Sequence, residues 1–123
     1  MKTLQLTYKG VWYVVKLDLA DWERLKDRKW ALTSNSRHKG FLQLYVRNRK
    51  YINGKRVVTY MHRAIVGAAP SEVVDHINGS GLDNRRQNLR RTTQQHNASA
   101  ERQNRGRRLE QVYEQAEPPK EWL

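Results

Sequence analysis

Apolar residues in this chain fall in short runs separated by polar turns, and the runs read mostly as strands. Val11-Trp12-Tyr13-Val14-Val15-Lys16-Leu17 is rich in β-branched and aromatic side chains, a composition that suits a pleated, half-buried surface and predicts a strand. Directly after it, Leu19, Trp22 and Leu25 share one helical face, with Asp18 or Asp21 placed to cap a short helix. Phe41-Leu42-Gln43-Leu44-Tyr45-Val46-Arg47 predicts another strand. Asn53-Gly54 then marks a hairpin, because a type I′ turn needs positive φ at both central residues, and Val57-Val58-Thr59 forms the return strand. Trp30, Phe41 and Tyr45 are read as core aromatics.

Past residue 60 the pattern changes. Tyr60 to Val66 has the i, i+4 apolar spacing of a short helix, with Gly67 as its C′ residue and Pro70 beyond. Glu72 to Ile77 reads as a strand, Asn78-Gly79-Ser80-Gly81 as the turn after it, and Leu82 to Leu89 as an irregular returning limb. Thr92 or Thr93 caps a final helix that runs to about Arg105. The order from 72 to 105 is therefore strand, loop, strand, helix. Leu109 to Tyr113 adds one or two helical turns, Pro118-Pro119 stops any helix, and the last residues are expected to form a mobile tail. The fold class expected is α+β, with a strand-rich region at 1–59, a core at 60–106 and a basic C-terminal extension at 107–123.

Composition narrows the partner. The 123 residues include 24 Lys and Arg against 12 Asp and Glu, a net charge of +12, and so large a surplus on a small domain implies a polyanion. Eight arginines and a single acid, Glu101, lie between Arg85 and Arg108; arginine's planar fork suits phosphate and guanine edges. There is no cysteine, which excludes disulfides and thiolate zinc sites. No apolar run is long enough for a membrane span, and Met1 to Leu6 lacks the apolar stretch of a secretory signal. A cytoplasmic protein, of a bacterium or a phage-infected host, is expected.

One stretch has the makings of hydrolytic chemistry. Cleaving a phosphodiester with a single metal needs a base for water, oxygen ligands for a divalent cation, and positive groups that position the backbone. Asp75 and His76 are adjacent, and Asn97 lies on the expected closing helix. Carboxylate and amide oxygens suit a hard cation such as Mg²⁺, and an imidazole is a serviceable base near neutral pH. Neighbours on an ideal strand face opposite ways, so the pair can flank one phosphate only if the strand ends or twists there, as the turn at 78–81 allows.

The segment Val74-Asp75-His76-Ile77-Asn78-Gly79-Ser80-Gly81-Leu82-Asp83-Asn84-Arg85-Arg86-Gln87-Asn88-Leu89-Arg90 closely resembles the core signature of HNH endonucleases of phages and mobile introns. Met61-His62-Arg63 upstream and Thr93…Asn97 downstream stand where that family has its leading and closing helices, and the resemblance extends over about residues 5 to 100. It implies a ββα-metal (His-Me finger) nuclease core at 60–106. It implies His76 as general base, Asn88 as a structural middle residue whose amide ties the loop together, and Asp75 and Asn97 as ligands of one Mg²⁺ or Mn²⁺ ion. The third letter of the motif then reads as Asn, an H-N-N variant. His96 stands where the family more often has Gln, so His96 is the alternative ligand. The products implied are 5′-phosphate and 3′-hydroxyl ends.

Arg85 and Arg86 on the loop, Arg90 and Arg91 before the helix, and Arg102 and Arg105 along it are candidates for gripping phosphates. His62, on an apolar helix, is expected to pack beside the site or support it rather than to act on substrate. Asp83 and Asn84 are expected to shape the loop through side-chain-to-backbone bonds. The partner expected is double-stranded DNA, bound by a monomer or weak dimer. The contrasting reading is a basic nucleic-acid-binding protein with no catalysis, which leaves Asp75, His76 and Asn97 without a purpose.

Overall fold

The structure is a computed structural model, and it describes residues 1–34, 43–92 and 113–119. The first two strands, β1 (Lys2–Tyr8) and β2 (Val11–Leu17), form an antiparallel hairpin in register from Lys2↔Leu17 to Tyr8↔Val11. Its two-residue turn, Lys9-Gly10, has positive φ at both positions (49° and 81°), the geometry that matches the twist of the flanking strands. β1 was not expected from composition, although Leu4, Leu6 and Tyr8 alternate with polar residues as a half-buried strand requires.

The helix α1 (Leu19–Leu25) follows as expected, with Asp18 at its N-cap position. Neither aspartate caps it by side chain. Asp18 Oδ2 instead accepts the backbone N–H of Arg86 at 3.1 Å, and Asp21 is buried in ion pairs described below. Next come β3 (Ala31–Ser34), β4 (Leu44–Ile52) and β5 (Lys55–Tyr60), a second antiparallel sheet in the order β3-β4-β5. Asn53 and Gly54 supply the expected hairpin turn, with φ of 52° and 78°. Of the expected core aromatics, Trp30 packs against the core and its indole N–H donates to Leu25 O at 2.8 Å. Phe41 lies outside the described residues.

The helix α2 (Met61–Val66) ends on Gly67 in the left-handed conformation, φ 64°, where a Cβ would be strained. Then β6 (Val73–His76) runs antiparallel to β8 (Leu89–Thr92), pairing Asp75 with Arg90 and His76 with Leu89. The returning limb is thus split. Its last residues form β8, while β7 (Asp83–Asn84) crosses to the first sheet and pairs in parallel with Lys16 and Leu17 of β2. A 3₁₀ turn, Arg86–Asn88, leads back to β8. β6 and β8, joined by the loop, follow the strand, loop, strand order expected from 72 to 89; the expected closing helix from 92 or 93 to 105 lies outside the described residues.

The C-terminal stretch is not loose where it is described. Tyr113 is buried, Val14 N donates to Glu114 O at 2.9 Å, and Ala116 N donates to Trp12 O at 2.8 Å. This seats 113–116 along the β2 edge that β7 shares. The Tyr113 hydroxyl also accepts the N–H of Leu44 at 3.0 Å, tying the two sheets. Tyr13, Val15, Leu17, Leu25, Leu32, Leu44, Val46, Met61, Ile65, Leu82 and Tyr113 make one core. Among the described residues no helix is long and apolar enough to cross a membrane.

Gly81 is where the 78–81 turn touches β4. A Cβ there would run into Leu44 O and stand 2.7 Å from Tyr45 Cδ1. Because backbone cannot yield as a flexible side chain does, Gly81→Ala should destabilise the fold by more than about 2 kcal/mol in urea unfolding. A change below about 0.5 kcal/mol would show that the turn does not pack so closely on β4.

Candidate nuclease site

The candidate site stands at the end of β6. Val74, Asp75 and His76 are all buried, so both faces of the strand are covered at this point. Asp75 faces its cross-strand neighbour Arg90, whose Nη2 donates to Oδ2 at 2.7 Å. His76 packs on Tyr45 and His62, with ring centroids 6.1 and 4.7 Å away. The pair therefore occupies the last two positions of the strand with distinct surroundings, as the alternation of a strand dictates. Past His76 the chain turns: Gly79 N donates to His76 O at 2.9 Å, with Gly79 at φ 81°.

Asn88 holds this excursion shut. Its Oδ1 accepts the N–H of Asn78 at 3.0 Å, and its Nδ2 donates to Asn78 Oδ1 and to Asp83 O, both at 2.9 Å. The Asn88 carbonyl accepts from Ile77 N at 2.8 Å, joining loop to strand. Asn78 in turn donates to Asp83 Oδ2 at 3.1 Å and accepts the N–H of Ser80 at 2.8 Å. Only an amide offers both donors and an acceptor on one short stem. Aspartate here would lose the donors and leucine everything.

Three buried acids are each met by arginine. Asp83 takes a two-pronged grip from Arg85, Nε to Oδ1 at 2.8 Å and Nη2 to Oδ2 at 2.7 Å. Burial pushes the Asp83 carboxyl up, but the Arg85 bonds and charge with the Asn78 bond outweigh it and hold it below the usual carboxylate range. Asp21, on α1, is gripped by Arg86 and by Arg24; there too burial pushes up and the two guanidiniums win. Arg86 Nη2 also donates to Ile65 O at 3.1 Å, bracing the loop to α1 and the last turn of α2. The guanidiniums of Arg85, Arg86 and Arg90 are thus each paired with a buried acid, although Arg86 itself stays exposed, while Arg91 makes only a long 3.9 Å pair with the half-buried Glu72. Asn97, His96, Arg102 and Arg105 lie outside the described residues.

Two features were missed by sequence reasoning. Asn84, expected to bond to backbone, instead places Oδ1 2.8 Å from His76 Nε2, and it is wholly buried. The second is the β4–β5 ribbon: every residue from Arg49 to Val58 is exposed on both faces, including Tyr51 at 75%. From 44 to 60 the ribbon has five basic residues (Arg47, Arg49, Lys50, Lys55, Arg56) and no acid; that run of charge was the available signal.

The donor chemistry at β6 fits a hard divalent cation. Asp75 offers a carboxylate, and Mg²⁺ needs only one or two from the protein. Among the described residues no three His, Cys, Asp or Glu side chains cluster as a ready-made ligand set.

Residues 56–99 match the family model of HNH endonucleases. Over this segment the chain is similar to HNH endonucleases. The HNH segment so defined begins in β5 and takes in α2, β6, the Asn88-pinned loop and β8. No curated protein sequence matches the chain. It is also similar to a solved structure, of DNA binding and cleavage by the HNH homing endonuclease I-HmuI, at 25% identity and a TM-score of 0.44. That similarity covers 91% of this chain and 62% of the other, so this chain spans less than two thirds of that enzyme.

His62 gives the HNH segment a pH signature. Withdrawal from water, then the charges of His76 and Arg63, push its imidazole from 6.5 down to about 3. Unfolded chains therefore take up a proton on His62 below pH 6.5 that the folded state refuses until about pH 3. Stability from this residue is intact above that window and is lost as pH falls through it. His62→Phe should flatten the decline in Tm on acidification across the window; an unchanged slope would show that His62 titrates freely.

Proposed function

We propose that the chain is a DNA endonuclease that hydrolyses phosphodiester bonds at the Asp75–His76 site. The observation that supports this best is the coincidence of the HNH segment with a buried Asp-His pair at a strand end, held by a loop whose polar groups bond to one another. His76 takes a proton from water, the water oxygen attacks phosphorus in line, and the bond to the 3′ oxygen breaks, that oxygen leaving with a proton taken from solvent water. The products are 5′-phosphate and 3′-hydroxyl ends. Asp75 and Asn97, or His96 in place of Asn97, would hold one Mg²⁺ or Mn²⁺ ion, which when bound stabilises the charge gathering on the phosphate.

The partner is double-stranded DNA. Arg91 and the arginines 102 and 105 contact phosphate, while Arg85, Arg86 and Arg90 act chiefly by holding the loop that presents the site. The exposed β4–β5 ribbon adds Arg49, Lys50, Lys55 and Arg56; a two-stranded ribbon fits the major groove of a duplex. One site per chain predicts that a monomer nicks one strand.

The second reading, a binding protein without catalysis, is favoured by the basic ribbon alone. Supercoiled plasmid separates the two. In Mg²⁺ or Mn²⁺ the chain should convert it to open circles, EDTA should stop this, and His76→Ala should slow it by about 10²-fold or more. Nicking that survives EDTA or the His76 substitution contradicts the mechanism, and binding without nicking leaves the second reading.

A further inference from the structure

His76 and Asn84 meet where water is excluded. The Nε2–Oδ1 distance is 2.8 Å, His76 is 7% exposed and Asn84 not at all. Asn84 is delivered there by β7, whose pairing with Leu17 of β2 fixes it in the first sheet while the chain on either side belongs to the loop. Tyr45 and His62 pack on the same imidazole, restricting its rotation.

We propose that Asn84 is a positioning residue that fixes the tautomer of His76, with the proton on Nε2 and the lone pair on Nδ1. The inference rests on reading His76 as the base. A neutral imidazole has one N–H and one acceptor nitrogen, and the partner of one decides the role of the other. An amide oxygen facing Nε2 requires the proton there. The opposite amide orientation would put Nδ2 on Nε2 and force the proton to Nδ1, so amide orientation and tautomer are a single variable.

The energetics also point to Asn84 having this task. Its Nδ2 is buried with no hydrogen-bond partner among the described residues, and an orphaned buried donor costs about 1–3 kcal/mol. A residue that only filled space at 84 would be better as leucine. The amide is explained by what its oxygen does. When Nδ1 takes the proton of the attacking water, His76 becomes an imidazolium whose Nε2–H remains on Asn84 Oδ1. That bond becomes charge-assisted and stronger as the proton transfers, so Asn84 favours the transferred state over the resting one.

The test reads the tautomer directly and does not depend on cleavage. Full-length protein labelled with ¹⁵N-histidine is examined by long-range ¹H–¹⁵N correlation at about pH 8, where an ordinary imidazole is neutral. His76 should show its proton on Nε2. Asn84→Asp, which keeps an oxygen acceptor, should keep that proton, whereas Asn84→Leu should yield a mixture or the Nδ1–H form. In plasmid nicking, Asn84→Leu should lower kcat by about 10²-fold with KM for DNA little changed. A proton on Nδ1 in the unsubstituted protein overturns the proposal, as does an Nε2–H form that persists unmixed in Asn84→Leu. Should Asn84→Leu fail to fold, the unsubstituted protein and Asn84→Asp decide between the same outcomes. An Nε2–H tautomer in a protein that nicks nothing would uphold the role of Asn84 while removing the nuclease reading.

Discussion

Between His76 and Asn88 the chain leaves one sheet, touches another and returns, and a single buried amide closes the circuit. Asn88 bonds to Asn78 in both directions and to the Asp83 carbonyl, while its own carbonyl takes the N–H of Ile77. The consequences spread outward. Asn78 and Asp83 are held, Asp83 orients Arg85, and β7 is set against β2 with Asn84 against His76. In a water-poor interior these bonds reinforce one another, and a network with one member missing is worse than none. The position of the candidate base is therefore a property of the loop as a whole.

The charges sort into two populations. Beside the loop, arginines face buried acids: Arg85 on Asp83, Arg86 and Arg24 on Asp21, Arg90 on Asp75. A buried carboxylate stripped of its partner is costly, so these arginines are committed to the fold. Arg90 is a special case, since its partner is the carboxylate proposed to face the cation. Among the described residues the uncommitted charge lies on the exposed β4–β5 ribbon, at a distance from the loop. A +12 total thus describes both a scaffold and the exposed surface proposed to face DNA, and residue type alone does not say which is which.

Local features were legible and long-range ones were not. The strand at Val11–Leu17, the Asn53-Gly54 turn and the helix ended by Gly67 each follow from side chains within a few residues of one another. The tie made by Asn88 was legible for a different reason: the loop is one contiguous stretch whose resemblance to the HNH signature implies it. By contrast β7 is two residues long, too short for any periodicity, and its pairing with β2 depends on residues far earlier in the chain. The Asp21–Arg86 pair and the seating of Tyr113 against Leu44 likewise join distant segments. Asn84 was misassigned because its type commonly bonds to nearby backbone, while here tertiary placement sends it to an imidazole.

In the proposed nuclease the Asn88-pinned loop presents Asp75 and His76 as a preformed hydrolytic pair. A crystal structure of the protein with a duplex and Mn²⁺, located by anomalous scattering, tests this most directly. The ion is expected on the Asp75 carboxylate, with a backbone phosphate beside His76 and Nδ1 toward it, and with the Asn88 bonds unchanged. An ion bound elsewhere, with Asp75 still on Arg90 and the phosphate remote from His76, would contradict this arrangement.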